Sequence, residues 1–236
     1  MLEWTIPGSV DAPRLNLINR NSNKIMVKID FSNAFDSVEI DEMLMEIKEK
    51  TTSIGSFLWQ CYSAPTLLFF GNETISSEVG AQQRDPYGPM AFSLCTQPII
   101  EDLAAESNIW FLDDETLCGD AKTVLADFGK LIEKCKSIGL HINTTKGELF
   151  FCLNPDNSVI ENFEKLAPGI RVMDTDIELL GTALFPSSTA KILDEKLKQM
   201  KIFFESLLDV NRHVAFYLLQ HCLAIPKLQT SYKRSE

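Results

Sequence analysis

The stretch from Asn108 to Asp120, Asn-Ile-Trp-Phe-Leu-Asp-Asp-Glu-Thr-Leu-Cys-Gly-Asp, constrains this chain more than any other. Ile109 to Leu112 is apolar and aromatic-rich; Asp113, Asp114 and Glu115 follow at once, and Thr116, Leu117 and Cys118 return to strand-favouring residues. Aromatic and β-branched residues on both sides of a tight acidic group predict two short strands meeting at a turn. Three successive carboxylates at such a tip repel one another, so their charge calls for a positive group nearby. A hard cation such as Mg²⁺ takes oxygen ligands and keeps water sites open to a substrate. The plainer reading is a solvated hairpin turn, where Asp is common because it bonds its own backbone. Taken alone, these residues favour the plainer reading. The rest of the chain reverses it.

The 236 residues suit one large domain or a domain with a small appendage. A hydrophobic content of 45% with 23% charged residues is that of an ordinary globular protein able to bury a core. The net charge of −11 runs against nucleic-acid binding, which rests largely on Lys and Arg neutralising phosphates. The six cysteines form no C-x-x-C pair, so neither a zinc site nor a disulfide framework is expected, and a reducing compartment is. The first residues lack a basic segment followed by an apolar core, and no apolar run reaches membrane-spanning length. A soluble intracellular chain is expected.

In chain order, residues 1–23 are turn-rich, with Pro7-Gly8, Pro13 and Asn21-Ser22-Asn23. Lys24 to Phe31 reads as a largely buried strand that delivers Asp30 at its carboxyl end; the alternative is that Asp30 merely ends the strand. Ser32 or Asp36 could cap a short helix, and Ile40 to Lys50 has the spacing of an amphipathic one, with Met43, Leu44 and Ile47 inward. Thr51 to Ser63 predicts a second helix, stopped before Ala64-Pro65. A hairpin follows from Thr66 to Phe70, Gly71-Asn72 and Thr74 to Val79. Gly80 to Pro89 is a loop dense in Gly, Pro and amides, leading into an apolar helix over Met90 to Ala105 with Pro98 as a kink. Beyond the acidic hairpin, Thr123 to Ser137 is amphipathic and Gly139 is a natural stop. Leu140 to Leu153 predicts two strands around a turn that holds Lys146, and Val159 to Ala167 a short helix. Ile177 to Phe185 predicts a hairpin bent at Gly181, followed by helices over Thr189 to Leu208 and Arg212 to Ala224.

That order resembles the palm of a reverse transcriptase, most closely those of non-LTR (LINE-like) retroelements. Lys28-Ile-Asp30-Phe-Ser-Asn-Ala-Phe35-Asp is similar to the family's first catalytic motif. Gly80-Ala-Gln-Gln83-Arg-Asp-Pro-Tyr-Gly-Pro89 resembles its Gln-Gly-Asp-Pro-Leu-Gly-Pro loop, and Phe111-Leu-Asp113-Asp114 its aromatic-x-Asp-Asp signature, with Phe111 where Tyr is commoner. Gly139-Leu-His-Ile-Asn143-Thr-Thr-Lys146 is similar to the element that follows, and Leu179-Leu-Gly181 to the hairpin that grips the primer. Each piece alone is weak; five in order over residues 24–185 are specific.

The resemblance implies an α+β fold, a small antiparallel sheet backed by helices, with a helical C-terminal extension. It divides the chain into an irregular fingers remnant (1–23), the palm (24–186) and a thumb-like or connecting segment (187–236). It implies RNA-directed DNA polymerisation by in-line nucleotidyl transfer with two Mg²⁺, or Mn²⁺ in their place. Asp30 and Asp113 are then the bridging metal ligands and Asp114 an accessory carboxylate; the backbone at Phe31 helps hold the triphosphate's metal. Phe35 takes the place of the ring that excludes a ribose 2′-hydroxyl, its plain alternative being a core phenylalanine. Gln83 contacts nucleotide or template, and Lys146 donates a proton to pyrophosphate. RNA template, DNA primer and deoxynucleoside triphosphates are the implied partners, with no membrane among them; oligomeric state is left open. Arg84 departs from the glycine that usually follows Gln83, and the short segment before Asp30 and the two helices after the palm fall short of full fingers and thumb. Those departures raise the alternative of a truncated or decayed palm, catalytically silent and kept as a relic or an interaction domain.

Overall fold

The computed structural model describes residues 23–82, 85–173, 177–179, 182–184 and 186–223. Gln83, Arg84 and Gly181 lie outside them. The described residues fall into two compact units, one within Asn19–Val172 and one within Met173–Glu236.

The first unit is built on strand β1 (Lys24–Asp30), whose Ile-Met-Val-Lys-Ile run suits a pleated, half-buried surface. Helices α1 (Ala34–Ser37), α2 (Ile40–Lys50) and α3 (Thr52–Tyr62) follow, then a separate hairpin of β2 (Thr66–Phe70) and β3 (Glu73–Ser77). Helix α4 (Gly88–Glu101), strands β4 (Ser107–Phe111) and β5 (Asp114–Asp120), and helix α5 (Ala121–Ser137) come next. Strand β6 (Glu148–Phe151), helix α6 (Asn157–Leu166) and strand β7 (Arg171–Met173) complete a five-stranded sheet in the order β4-β5-β1-β6-β7. β1 pairs antiparallel with both β5 and β6, which puts it at the centre. This is the α+β fold expected, a small antiparallel sheet backed by helices.

Directly opposed residues of an antiparallel pair share a face, and the faces alternate along each strand. Ile25, Val27 and Ile29 of β1 therefore share a face with Leu117 of β5 and with Leu149 and Phe151 of β6. That face packs against α4, α5 and α6 around the fully buried Phe92, Phe128 and Phe163, in one continuous core. The opposite face carries Lys24, Lys28 and Asp30 of β1 with Thr116 and Asp114 of β5. Chemistry and core thus occupy opposite sides of the same strand.

Gly139 ends α5 at φ 82°, and Leu140 N–H reaches back to the Cys135 carbonyl at 2.8 Å, the left-handed stop expected there. Two expectations are corrected. The helix predicted to Ala105 ends at Glu101, because the Asp127 carboxylate on α5 takes the backbone N–H groups of Ala104 and Ala105, each at 2.7 Å. Those donors are drawn into the approach to β4 instead of another helical turn. The strand pair predicted over Leu140 to Leu153 is one strand, β6, and a single bridge from Ile142 to Phe31. Asn143 opens a turn at once, its carbonyl taking Lys146 N–H at 3.2 Å and its side chain the Thr145 hydroxyl at 2.8 Å.

In the second unit, β8 (Glu178–Leu179) pairs with β9 (Thr182–Ala183), and helices α7 (Pro186–Ser206) and α8 (Arg212–Leu218) follow. Lys196 of α7 pairs with Glu178 at 3.2 Å. No described helix is long and apolar enough to cross a membrane.

Candidate active site

The register of β1 and β5 sets Asp30 directly opposite Asp114, although 84 positions separate them. Phe111 pairs with Asp114, so the connection between β4 and β5 is only Leu112 and Asp113. Leu112 is held at φ 59°, a left-handed conformation that non-glycine residues rarely adopt. Such strain persists only where the surroundings impose it, and it clusters at functional sites. Here it is the cost of a turn short enough to present Asp113 beside the strand ends.

The carboxyl end of β1 is fixed from the other side. Asn143 N–H bonds the Asp30 carbonyl at 2.7 Å, and Ser32 N–H bonds the His141 carbonyl at 2.8 Å, clamping the Phe31 peptide between them. The Phe31 ring is buried, 6.0 Å from that of Trp110. The same turn brings Lys146 Nζ to 3.2 Å from Asp30 Oδ2. Oδ2 is sealed from solvent and has no hydrogen-bond partner among the described residues. Burial raises the Asp114 carboxyl above its ordinary value; Lys28 opposes the rise, the charges of Asp113 and Asp30 add to it, and Lys146 opposes it. Asp30, Asp114, Asp113, Lys28 and Lys146 therefore form one electrostatic group.

A cavity of about 460 Å³ opens beside this group. Asp113, Asn33, Phe35, Gln82, Asp85 and Pro89 line it. Phe35 stacks on the core ring of Phe92, centroids 4.6 Å apart, and also faces the cavity. Its core role and its position beside Asp113 coexist. A sealed carboxylate oxygen without a hydrogen bond, beside two further carboxylates, suits a hard divalent cation such as Mg²⁺. Among the described residues no three metal-binding side chains close into a cage.

Glu115 departs from the sequence reading. It follows Asp113 and Asp114, but strand alternation turns it to the core face opposite Ile29 and Trp110. It is fully buried, and neither carboxylate oxygen has a hydrogen-bond partner among the described residues. The Trp110 indole N–H lies close enough to favour the charged form slightly, but it donates to Asn108 Oδ1 at 2.8 Å. Burial dominates and pushes the carboxyl well above its ordinary 4.5. The three acids are therefore not one charged tip: two face the site, and the third is buried in the core with its carboxyl raised.

A raised carboxyl sets the sign of a stability test. Below pH 4.5 Glu115 is protonated in both states; above it the unfolded chain ionises while the folded chain holds the proton, so stability falls as pH rises. Glu115→Met fills similar space without a polar group. It should raise unfolding free energy at pH 8 by about 2 kcal/mol, the desolvation cost of an unpaired buried group, and by less at pH 4. Urea unfolding at the two pH values measures this; an equal effect at both would contradict a neutral Glu115.

Sequence reasoning singled out Asp30, Asp113, Asp114 and Lys146, which the fold brings into one electrostatic group; it did not single out Lys28, which joins them, or the strained Leu112. Lys28 was legible from alternation, two residues before Asp30 on the same face; Leu112 carried no signal beyond the shortness of the turn. The sequence profile of the family described as reverse transcriptase (RNA-dependent DNA polymerase) matches residues 6–204. No curated protein sequence matches the chain significantly. Among solved structures, telomerase from Candida albicans, in complex with a TWJ fragment of telomeric RNA, aligns over 74% of this chain at 10% identity and a TM-score of 0.52. The chain spans 31% of that structure's chain, and the likeness is one of fold. Because the profile match runs unbroken through both acid-bearing strands and into α7, the chain belongs to the reverse transcriptase (RNA-dependent DNA polymerase) family.

Proposed function

We propose that this chain is the palm of a non-LTR, LINE-like reverse transcriptase and extends a DNA primer on an RNA template, with residues 187–236 serving as a thumb-like or connecting segment. One observation carries the reading: the β1–β5 register brings Asp30 opposite Asp114, with Asp113 in the adjoining turn and facing the cavity. Asp30, Asp113 and Asp114 would hold Mg²⁺ or Mn²⁺, which when bound lowers the charge cost of the attacking hydroxyl and of the leaving pyrophosphate. This chain's own residues do the rest. The clamp from Asn143 and Ser32 keeps Asp30 at the strand end. Lys146 holds a proton at Nζ beside Asp30, placed to be given to pyrophosphate as it leaves. Phe35 presents its ring to the cavity as a wall against a 2′-hydroxyl, selecting sugar by repulsion.

Binding tests the reading apart from turnover. Titration of the chain with dATP should give saturable binding that requires Mg²⁺ and is lost on replacing Asp113 by alanine. Binding that ignores Mg²⁺ and Asp113 would contradict it. For the sugar wall, Phe35→Ala should raise the efficiency of ribonucleotide relative to deoxynucleotide incorporation by at least about tenfold, as expected when roughly 1.4 kcal/mol of steric exclusion is removed. An unchanged ratio would leave Phe35 with its core role alone.

A further inference from the structure

Tyr62 closes helix α3, and its side chain is 5% exposed. A phenylalanine would serve that packing equally well, so the hydroxyl needs its own explanation. It accepts the Gln82 N–H at 3.1 Å and donates to Asp85 Oδ2. The other Asp85 oxygen accepts the Tyr87 N–H at 2.9 Å. Asp85 N–H bonds the Gln82 carbonyl at 3.1 Å, and Gly88 N–H bonds the Asp85 carbonyl at 3.0 Å. The Gln82 amide donates to Thr66 Oγ1 at 3.0 Å. One phenol thus joins the end of α3 to both sides of the loop that opens α4.

Gln82, Asp85, Gly88 and Pro89 line the same cavity as Phe35 and Asp113. Tyr62 does not reach the cavity itself. We infer that Tyr62 is a positioning residue for the nucleotide, holding Gln82 and Asp85 in place in the cavity that Asp113 and Phe35 also line. Asp85 is the key to this role. Both its oxygens are engaged by donors, which turns a carboxylate at the cavity edge into a satisfied acceptor and lessens its repulsion of a triphosphate. Without the phenol one of those oxygens is free to turn toward the cavity. Burial, reinforced by the bond to Asp85, pushes the phenol far above its ordinary value, so it remains a donor throughout the working pH range.

The inference rests on the polymerase reading, and the test separates the two. Dissociation constants for dATP with Mg²⁺, and KM and kcat for the same nucleotide in primer extension, are measured for the parent chain, Tyr62→Phe, Asp85→Asn and the double variant, alongside thermal unfolding. Tyr62→Phe should weaken dATP binding and raise KM about tenfold, with kcat changed far less and thermal unfolding nearly unmoved. The side chain of Asp85→Asn carries no charge to turn toward the triphosphate, so adding Tyr62→Phe to Asp85→Asn should weaken dATP binding far less than the roughly tenfold expected in the parent chain. Should Tyr62→Phe lose its fold, Thr66→Val, which removes the acceptor that holds the Gln82 side-chain amide at 3.0 Å, should weaken dATP binding and raise KM in the same sense. An unchanged dissociation constant and KM, or a fall in kcat alone, would overturn the positioning role. A folded parent chain that binds no dATP would overturn the polymerase reading and this inference with it.

Discussion

Asp30→Asn and Asp113→Asn proteins should each extend a primer at least about 10³-fold more slowly than the parent chain, a loss of roughly 4 kcal/mol in transition-state stabilisation. Asparagine keeps the shape of each side chain and removes the charge, so the comparison isolates what the carboxylate does. Folding should survive. Lys146, the partner of Asp30, is 65% exposed and remains solvated when the pair is broken. Asp113 sits in a two-residue turn whose geometry is set by the β4–β5 pairing. Thermal unfolding within a few degrees of the parent, together with the large kinetic loss, is therefore expected. Near-parental rates from either variant would remove the carboxylates from the chemistry.

Gly80→Ala should be a severely damaging single-methyl change in the first unit. Gly80 has φ 82°, and a Cβ there would stand 2.6 Å from Asp36 Cα and 2.7 Å from the Phe35 carbonyl oxygen. Both are backbone atoms, and neither can swing aside as a side-chain tip would. The contact is held from both strands of chain: Gly80 N–H bonds the Val38 carbonyl at 2.8 Å, and Ala81 N–H bonds the Phe35 carbonyl at 2.7 Å. The left-handed backbone alone costs about 1–2 kcal/mol for alanine. Overlap and the lost bonds bring the total to roughly 3 kcal/mol, a large share of a typical domain's stability and about 10 °C in Tm. The loss should extend to nucleotide selection, because Phe35 must move with its carbonyl. Gly71→Ala is the control: its φ is 61°, nothing lies within 4 Å of the added carbon, and only the backbone cost applies. Equal Tm losses for the two variants would show that close approach at Gly80 is not what fixes the Phe35 segment.

Much of this was legible in the sequence because local pattern and tertiary demand coincide. Ile40–Lys50 was readable to the residue, since its apolar spacing is the stripe that packs on the core. The acidic hairpin was readable because a two-residue connection between aromatic and β-branched runs has few other solutions. Legibility ended where long-range partners decide. Nothing within Ala104-Ala105 announces that a carboxylate 22 residues later takes its amides and stops a helix. β7 is three residues long at the sheet edge, tied through Arg171 N–H to the Gly147 carbonyl at 3.0 Å, and has no periodicity of its own. Glu115 was grouped with its neighbours by adjacency, whereas the pleat separates them. Tyr62 showed itself only through partners 20 and 23 residues away.

The net charge of −11 fits these assignments more easily than it first suggests. Part of the negative charge is spent inside the fold, as Asp127 bonds Ala104 and Ala105, while Glu115 contributes none when neutral. Lys28 and Lys146 stand beside the acids of the site, where positive charge is needed.

Template-directed primer extension by the folded chain is the most direct measurement of the central claim. The chain is incubated with an annealed RNA template and DNA primer, a single deoxynucleoside triphosphate and Mg²⁺, and the primer is resolved at single-nucleotide length. The account predicts a product one nucleotide longer only with the triphosphate complementary to the template, abolished by chelation and by Asp113→Asn. Folded parent chain that yields no such product at any Mg²⁺ or Mn²⁺ concentration, or product made equally well by Asp113→Asn, would contradict it.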